Sequence, residues 1–420
     1  MHNRKLALAR LGLVGVAFTL ALSGARLFAA LPLPEKTAVD VGLSAKRLEH
    51  VPALLKREID AKRYAGVVWL VARDGAVVSH GAHGLADTAG AKSMAEDTVF
   101  RIFSMSKMVT SVTVLTLVEE GRILLDDPVE RYLPELANRQ VMVCGTADAP
   151  QLQPAKGSIT IRHLLTHTSG LPYDLFADEP AKTLWTRAEI WAAPTLKEFV
   201  RRVATLPLVH QPGEKWTYGV NTDILGAVIE AVTGQDLEAA MRERVFKPLR
   251  MTETTFRPDA ALSARVAMIH HRTPDGLARD DAAMQFGTLA FPSGGGGLFS
   301  TLHDYTRFAQ MLLNGGQLDG VRVLGRKTVE MMTSDQTSHL PAGTVWAPPS
   351  FGLGVRIRPT GPAASLGSVG MFGWDGYATT YVSMDPRERL LMIALFQHVP
   401  FNEDSISEKF TNTVYQALEK

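Results

Sequence analysis

Strand-like runs stand near both ends of this chain and scarcely between them, and that distribution limits the folds open to it. Near the start, Val67 to Ala72 and Ala76 to Val78 are short β-type runs joined by Asp74-Gly75, a dipeptide that favours a tight hairpin turn. Near the end, Gly352 to Ile357, Ala378 to Met384 and Leu390 to Phe396 have the same character. The stretch from Asp126 to Ala282 instead carries helical segments such as Leu196 to Ala204 and Ile224 to Thr233, interrupted by Pro and Gly. One antiparallel sheet built from the two chain ends, flanked by helices and with a mostly helical lobe inserted, satisfies this order. The expected class is therefore α+β, with a sheet lobe from residues 38–103 and 285–420 and a helical lobe from residues 104–284.

Several helices are marked by their apolar spacing. Ser44 can cap one whose Leu48, Val51, Leu54, Leu55 and Ile59 fall on a single face. From Ser104 to Glu120, the residues Met108, Val109, Val112, Leu115 and Val118 make a helix apolar on most sides, the pattern of a buried element, stopped by Gly121. His303 to Leu313 and Ser405 to Leu418 are the last two.

The N-terminus carries Arg4 and Lys5, then an apolar stretch from Leu11 to Leu22, then Ser23-Gly24-Ala25. This fits a secretory signal, so residues 1–30 are expected to be a signal peptide and the mature protein to be periplasmic or secreted. The apolar run is short for a membrane-spanning helix, and membrane attachment is expected only if the signal stays uncleaved. Forty-four Lys and Arg against 43 Asp and Glu leave a net charge of +1, too little to recruit nucleic acid. A small-molecule partner is the expectation. The one cysteine, Cys144, cannot form an internal disulfide and reads as a small apolar residue, and no Cys/His spacing resembles a metal site.

Ser104-Met105-Ser106-Lys107 is an S-x-x-K at the start of the buried helix, which sets a hydroxyl and an ammonium one turn apart on the same face. The helix N-terminus supplies positive potential for an alkoxide, and a buried lysine tends toward the neutral form a base requires. An N-cap serine followed by a surface lysine has the same local pattern. Tyr218, in the loop after Pro212-Gly213, can relay a proton to a leaving group where nearby cations lower its pKa; it can equally be a packing residue. Phe372-Gly373-Trp374-Asp375-Gly376-Tyr377 precedes a β-run, and its glycines would let a substrate lie against the strand backbone, although an ordinary strand start reads alike. His163 and His167 lie four apart without the Glu of H-E-x-x-H, which favours structural roles, and His270-His271 read as solvated loop residues. The chain lacks G-x-S-x-G, and its run Gly294 to Gly297 has no phosphate-loop Lys, so a tight backbone turn near the site is expected there.

Taken in order, these stretches resemble the serine β-lactamase-like superfamily: class C β-lactamases, D-alanyl-D-alanine carboxypeptidases and family VIII carboxylesterases. The resemblance spans nearly the whole mature chain. It rests on Phe100 to Lys107, on Glu119-Glu120-Gly121 with Leu125 to Val129, on His163 to Leu171, on Pro212-Gly213 with Tyr218, on Gly294 to Ser300, and on Trp374-Asp375-Gly376. It implies a β-lactamase/transpeptidase-like fold without metal or organic cofactor. It also implies Ser104 as acylated nucleophile, Lys107 as its proton partner, Tyr218 as a shared acid–base, and the N–H groups of Ser104 and Tyr377 as an oxyanion hole beside the Trp374-Asp375-Gly376 strand.

Two departures bear on substrate. The β-lactamases and peptidases usually place Asn two residues after the tyrosine, where this chain has Val220 and then Asn221. They also open the strand motif with Lys or His, where this chain has Trp374 followed by Asp375, so a substrate carboxylate is expected to find no matching cation. Trp-x-Gly, with Asp223 five residues after Tyr218, is closer to the esterases. Hydrolysis of small carboxylic esters through an acyl-enzyme is the leading expectation, with β-lactam or D-alanyl peptide hydrolysis second and a non-catalytic binding scaffold third.

Overall fold

Helix α1 (His50–Asp60) leads into a hairpin of β1 (Gly66–Arg73) and β2 (Ala76–Asp87), followed by the short β3 (Lys92–Ser93). Asp74 and Gly75 take φ of 55° and 72°, the paired left-handed residues that a two-residue hairpin turn requires. Helices α2 (Ser106–Glu119), α3 (Leu196–Ala204), α4 (Asn221–Thr233) and α5 (Leu302–Leu313) come next. Strands β4 (Arg356–Ile357), β5 (Phe372–Gly373), β6 (Thr380–Asp385) and β7 (Leu390–Leu395) and helix α6 (Ile406–Tyr415) follow. The computed structural model describes residues 31–285, 289–341 and 347–419; the signal-like segment, residues 1–30, lies outside them.

The seven strands form one antiparallel sheet in the order β4-β5-β6-β7-β1-β2-β3, so segments from both ends of the chain meet at its centre. Val68 faces Leu395 and Arg73 faces Leu390 across that seam. β1 is buried at all eight positions because both sheet faces are covered. Val67, Trp69 and Val71 pack with α1 and α6, while Val68, Leu70 and Ala72 join the core that contains α2, α4 and α5.

Helix α2 has twelve buried residues of fourteen, as its all-round apolar character implies. Several of its polar side chains are partnered inside the core. Thr110 Oγ1 donates to the carbonyls of Ser106 at 3.2 Å and Gly294 at 2.7 Å, and Ser106 Oγ accepts the N–H of Leu298 at 3.1 Å. Those bonds fasten the helix to the glycine run.

The middle of the chain contains two hairpins that periodicity did not indicate: Gln140–Gly145 with Pro150–Pro154, and His270–Thr273 with Gly276–Arg279. Most of their residues are exposed or half-buried, Cys144 among them, so no sustained apolar run marks them. His270 corrects the reading of a solvated loop. It is buried in a strand beside the end of the sheet, its backbone is bonded to Gln397 and Val399, and its Nε2 accepts the N–H of Thr88 at 3.3 Å. Among the described residues, no helix is long and apolar enough to cross a membrane.

Candidate active site

The chain enters α2 through a 3₁₀ turn, Phe103–Met105, and Phe103 holds a left-handed φ of 42°, a conformation uncommon for a bulky residue. Its ring is fixed between the Arg101 guanidinium, 4.4 Å from the centroid, and Tyr377, 5.6 Å between centroids. Ser104 follows directly and faces a cavity of about 590 Å³.

Lys107 is buried, and its Nζ lies within hydrogen-bonding distance of three oxygens. They are Ser104 Oγ at 3.1 Å, Tyr173 Oη at 3.0 Å and the Gly295 carbonyl at 2.6 Å. Tyr218 Oη lies 2.7 Å from Ser104 Oγ and accepts the indole N–H of Trp374 at 3.1 Å. The Tyr218 ring stacks on Trp216 at 5.7 Å and 3°, and Lys107 Nζ is 4.7 Å from its centroid. The three expected groups, Ser104, Lys107 and Tyr218, are thus brought within hydrogen-bonding distance of one another through the serine oxygen.

Two further residues complete this arrangement. Asp223, buried at the first turn of α4, accepts the Gly295 N–H at 3.0 Å and the Ser293 hydroxyl, and so holds the segment whose carbonyl meets Lys107. Burial raises its pKa against the pull of the Lys107 charge. Tyr173 is pushed well above the phenol range by burial, then by the charges of Asp223 and Tyr218, and stays protonated. Any side chain at Gly295 would put a Cβ 2.4 Å from Asp223 Oδ2 and 2.9 Å from Tyr173 Oη, so only glycine fits. Sequence reading noted Asp223 only by its spacing and missed Tyr173, which stands two residues beyond the His163 to Leu171 stretch; their proximity to Lys107 is created by the fold.

The strand-motif residues Trp374, Asp375, Gly376 and Tyr377 all border the cavity, with Ser104. Gly376 lies against the segment leading into the serine: a Cβ there would sit 2.4 Å from the Ile102 carbonyl oxygen and 2.2 Å from Thr380 Oγ1. The expectation of no cation beside this strand needs correction. Arg356 on β4, paired in register with Gly373, borders the cavity and forms an ion pair with Asp375, Nη1 to Oδ2 at 2.5 Å. Sequence reading missed it because the partners meet only when β4 and β5 pair. Phe176, Trp191, Trp216, Pro348, Pro349 and Phe401 make the remaining wall predominantly aromatic and apolar.

Asn221 does not line the cavity. Its Oδ1 accepts the Ser169 hydroxyl, and its Nδ2 stands 2.9 Å from His167 Nδ1 and donates to the Leu171 carbonyl at 3.3 Å. His167 is buried and its pKa is pulled well below the usual range by burial and by the Lys107 charge, so its ring is neutral and supports Tyr218 at 5.0 Å between centroids. His163 Nδ1 accepts the Thr160 N–H at 3.2 Å in a capping box.

A family model described as Beta-lactamase matches residues 51–413. The chain belongs to this family. It is 34% identical over 366 residues to Protein Rv1367c of Mycobacterium tuberculosis, spanning 84% of this chain and 90% of that one. It is 35% identical over 297 residues to Esterase EstB of Burkholderia gladioli, spanning 65% of this chain and 71% of that one. Among solved structures it is similar to EstCE1, described as "a hydrolase with promiscuous acyltransferase activity", with a TM-score of 0.74 at 26% identity over 91% of this chain and 99% of that one. The fold is β-lactamase/transpeptidase-like, and the chain is a member of a superfamily of serine hydrolases and acyltransferases, on its esterase branch.

Proposed function

We propose that this protein cleaves small, uncharged carboxylic esters through an acyl-enzyme on Ser104. The observation that carries the reading is the serine oxygen held 3.1 Å from Lys107 Nζ and 2.7 Å from Tyr218 Oη at the wall of an aromatic cavity. Ser104 Oγ attacks the ester carbonyl carbon while its proton passes into the Lys107–Tyr218 pair. The oxyanion rests on the N–H groups of Ser104 and Tyr377, and the carbonyl re-forms as the alcohol departs with that proton. Water, deprotonated by the same pair, then attacks the acyl carbon and releases the acid and the free serine. Transfer of the acyl group to an alcohol in place of water is the second reading, favoured by the apolar wall and by the likeness to EstCE1, a hydrolase with promiscuous acyltransferase activity. The charged, then apolar, then small-residue order of the first 25 residues supports a signal peptide and export to the periplasm or beyond.

The test is turnover of a short-chain nitrophenyl ester and a chromogenic cephalosporin by the mature protein, with Ser104→Ala alongside. Ester hydrolysis that falls by about 10³-fold or more in the variant, with little cephalosporin cleavage, is expected. Cephalosporin cleavage that outpaces ester cleavage would replace the esterase reading with a β-lactamase one. Absence of Ser104-dependent turnover of both compounds would overturn the small-ester reading and favour either an acyl substrate of another class or a binding scaffold.

A further inference from the structure

The ion pair on the cavity wall is unlike the surface pairs of this protein, because it joins two residues that both border the cavity. Arg356 meets Asp375 with both ends of its fork, Nη1 to Oδ2 at 2.5 Å and Nη2 to Oδ1 at 3.4 Å. This is the geometry by which arginine takes up any carboxylate. Among the described residues, no other carboxylate lies within ion-pair distance of Arg356. The arginine side chain is 34% exposed and the aspartate 12%, so the arginine is the more exposed of the two side chains. Its Cζ stands 5.8 Å from the Trp374 ring centroid, and the Trp374 indole N–H reaches Tyr218 Oη at 3.1 Å. A group seated on Arg356 would therefore stand one residue away from the tyrosine that meets the serine.

The geometry points to Asp375 as a built-in carboxylate that occupies Arg356, keeps this wall neutral, and so selects uncharged substrate groups over carboxylates at the Trp374 strand. The inference deepens the ester reading and rests on it for its biological meaning. An attached carboxylate competes at an effective concentration far above that of any dissolved ligand. A substrate carboxylate arriving here meets a guanidinium whose fork is filled and the like charge of Asp375 beside it, whereas a neutral acyl or alkoxy group meets neither cost. The other arginine bordering the cavity, Arg101, is 2% exposed and donates to the Met284 carbonyl at 2.9 Å. It is unchanged by substitutions at Asp375, so a difference between variants isolates Arg356.

The test measures binding, not turnover, on the full chain: 4-phenylbutyrate against its uncharged amide, by titration calorimetry at neutral pH. Asp375→Ser removes the competing carboxylate and opens space beside the guanidinium, while Asp375→Asn removes the charge at nearly constant volume and serves if the serine variant does not fold. Preference for the carboxylate over the amide is expected to rise by about tenfold or more in Asp375→Ser. It should rise less in Asp375→Asn, shrink with added salt, and return to the wild-type value in Asp375→Ser combined with Arg356→Met. An unchanged preference in folded variants, or a gain that survives loss of Arg356, would overturn the inference. Neither probe is an ester, so this result stands apart from Ser104-dependent ester turnover, which judges the proposed function by itself.

Discussion

Ser104 owes its placement to neighbours that contribute no reactive group. Phe103 turns the chain with a φ of 42°, and Gly376 lets the opposing strand approach until a Cβ would sit 2.4 Å from the Ile102 oxygen. Gly376→Ala must push one backbone away from the other, and displacements of about 1 Å at a reacting centre cost roughly 10²-fold in rate. The variant is expected to lose ester turnover by about that factor while its circular dichroism spectrum stays native; wild-type kcat would refute the role given to this close approach. At this scale the sequence was informative where chemistry is local. Ser104 and Lys107 are one helical turn apart, so spacing alone joined them, and Tyr218 entered through the order of family motifs. Tyr173, the Gly295 carbonyl and Arg356 could not be read in the same way, because each reaches its partner across a long span of chain or a strand pairing.

Among the elements, α2 shows how a helix can be both core and active-site support. Thr110 bonds the Gly294 carbonyl at 2.7 Å, and the next carbonyl, Gly295, holds Lys107 at 2.6 Å. Thr110→Val keeps the shape and leaves a buried carbonyl without that donor, a loss of about 1–3 kcal/mol. Urea unfolding should report that loss, accompanied by a lower kcat as the glycine run shifts; a change below about 0.5 kcal/mol would show that the bond is not needed to fasten the loop. The long apolar elements were legible beforehand: β1, β7, α2 and α4 appear as runs or stripes because burial on all sides demands apolar residues throughout. The two hairpins of the middle region were not, since strands such as Pro150–Pro154 face solvent and carry no apolar run. Strand β4 was anticipated as part of a longer segment, and only Arg356–Ile357 pairs.

For the molecule as a whole, burial sets the response to acid. His167, His210, His270 and His398 are all buried, and burial is the leading cause that lowers each pKa below the ordinary value. Below about pH 6.5 the unfolded chain takes up protons that the native chain refuses, so stability falls as pH falls. Each histidine contributes up to about 1.4 kcal/mol per pH unit until its own native pKa is reached. Asp223 and Glu230, both raised by burial, pull in the opposite direction, two groups against these four. Unfolding free energy by urea is expected to drop between pH 7 and pH 5, and a flat profile would contradict the burial of these rings as neutral species. The seam at the centre of the sheet has a different consequence, one in time. Val68 waits for Leu395, so during synthesis the middle strand has no partner on one side until residue 395 has emerged. Until that strand arrives, β1 carries an open row of backbone donors and acceptors along one edge, where a neighbouring chain can pair in its place.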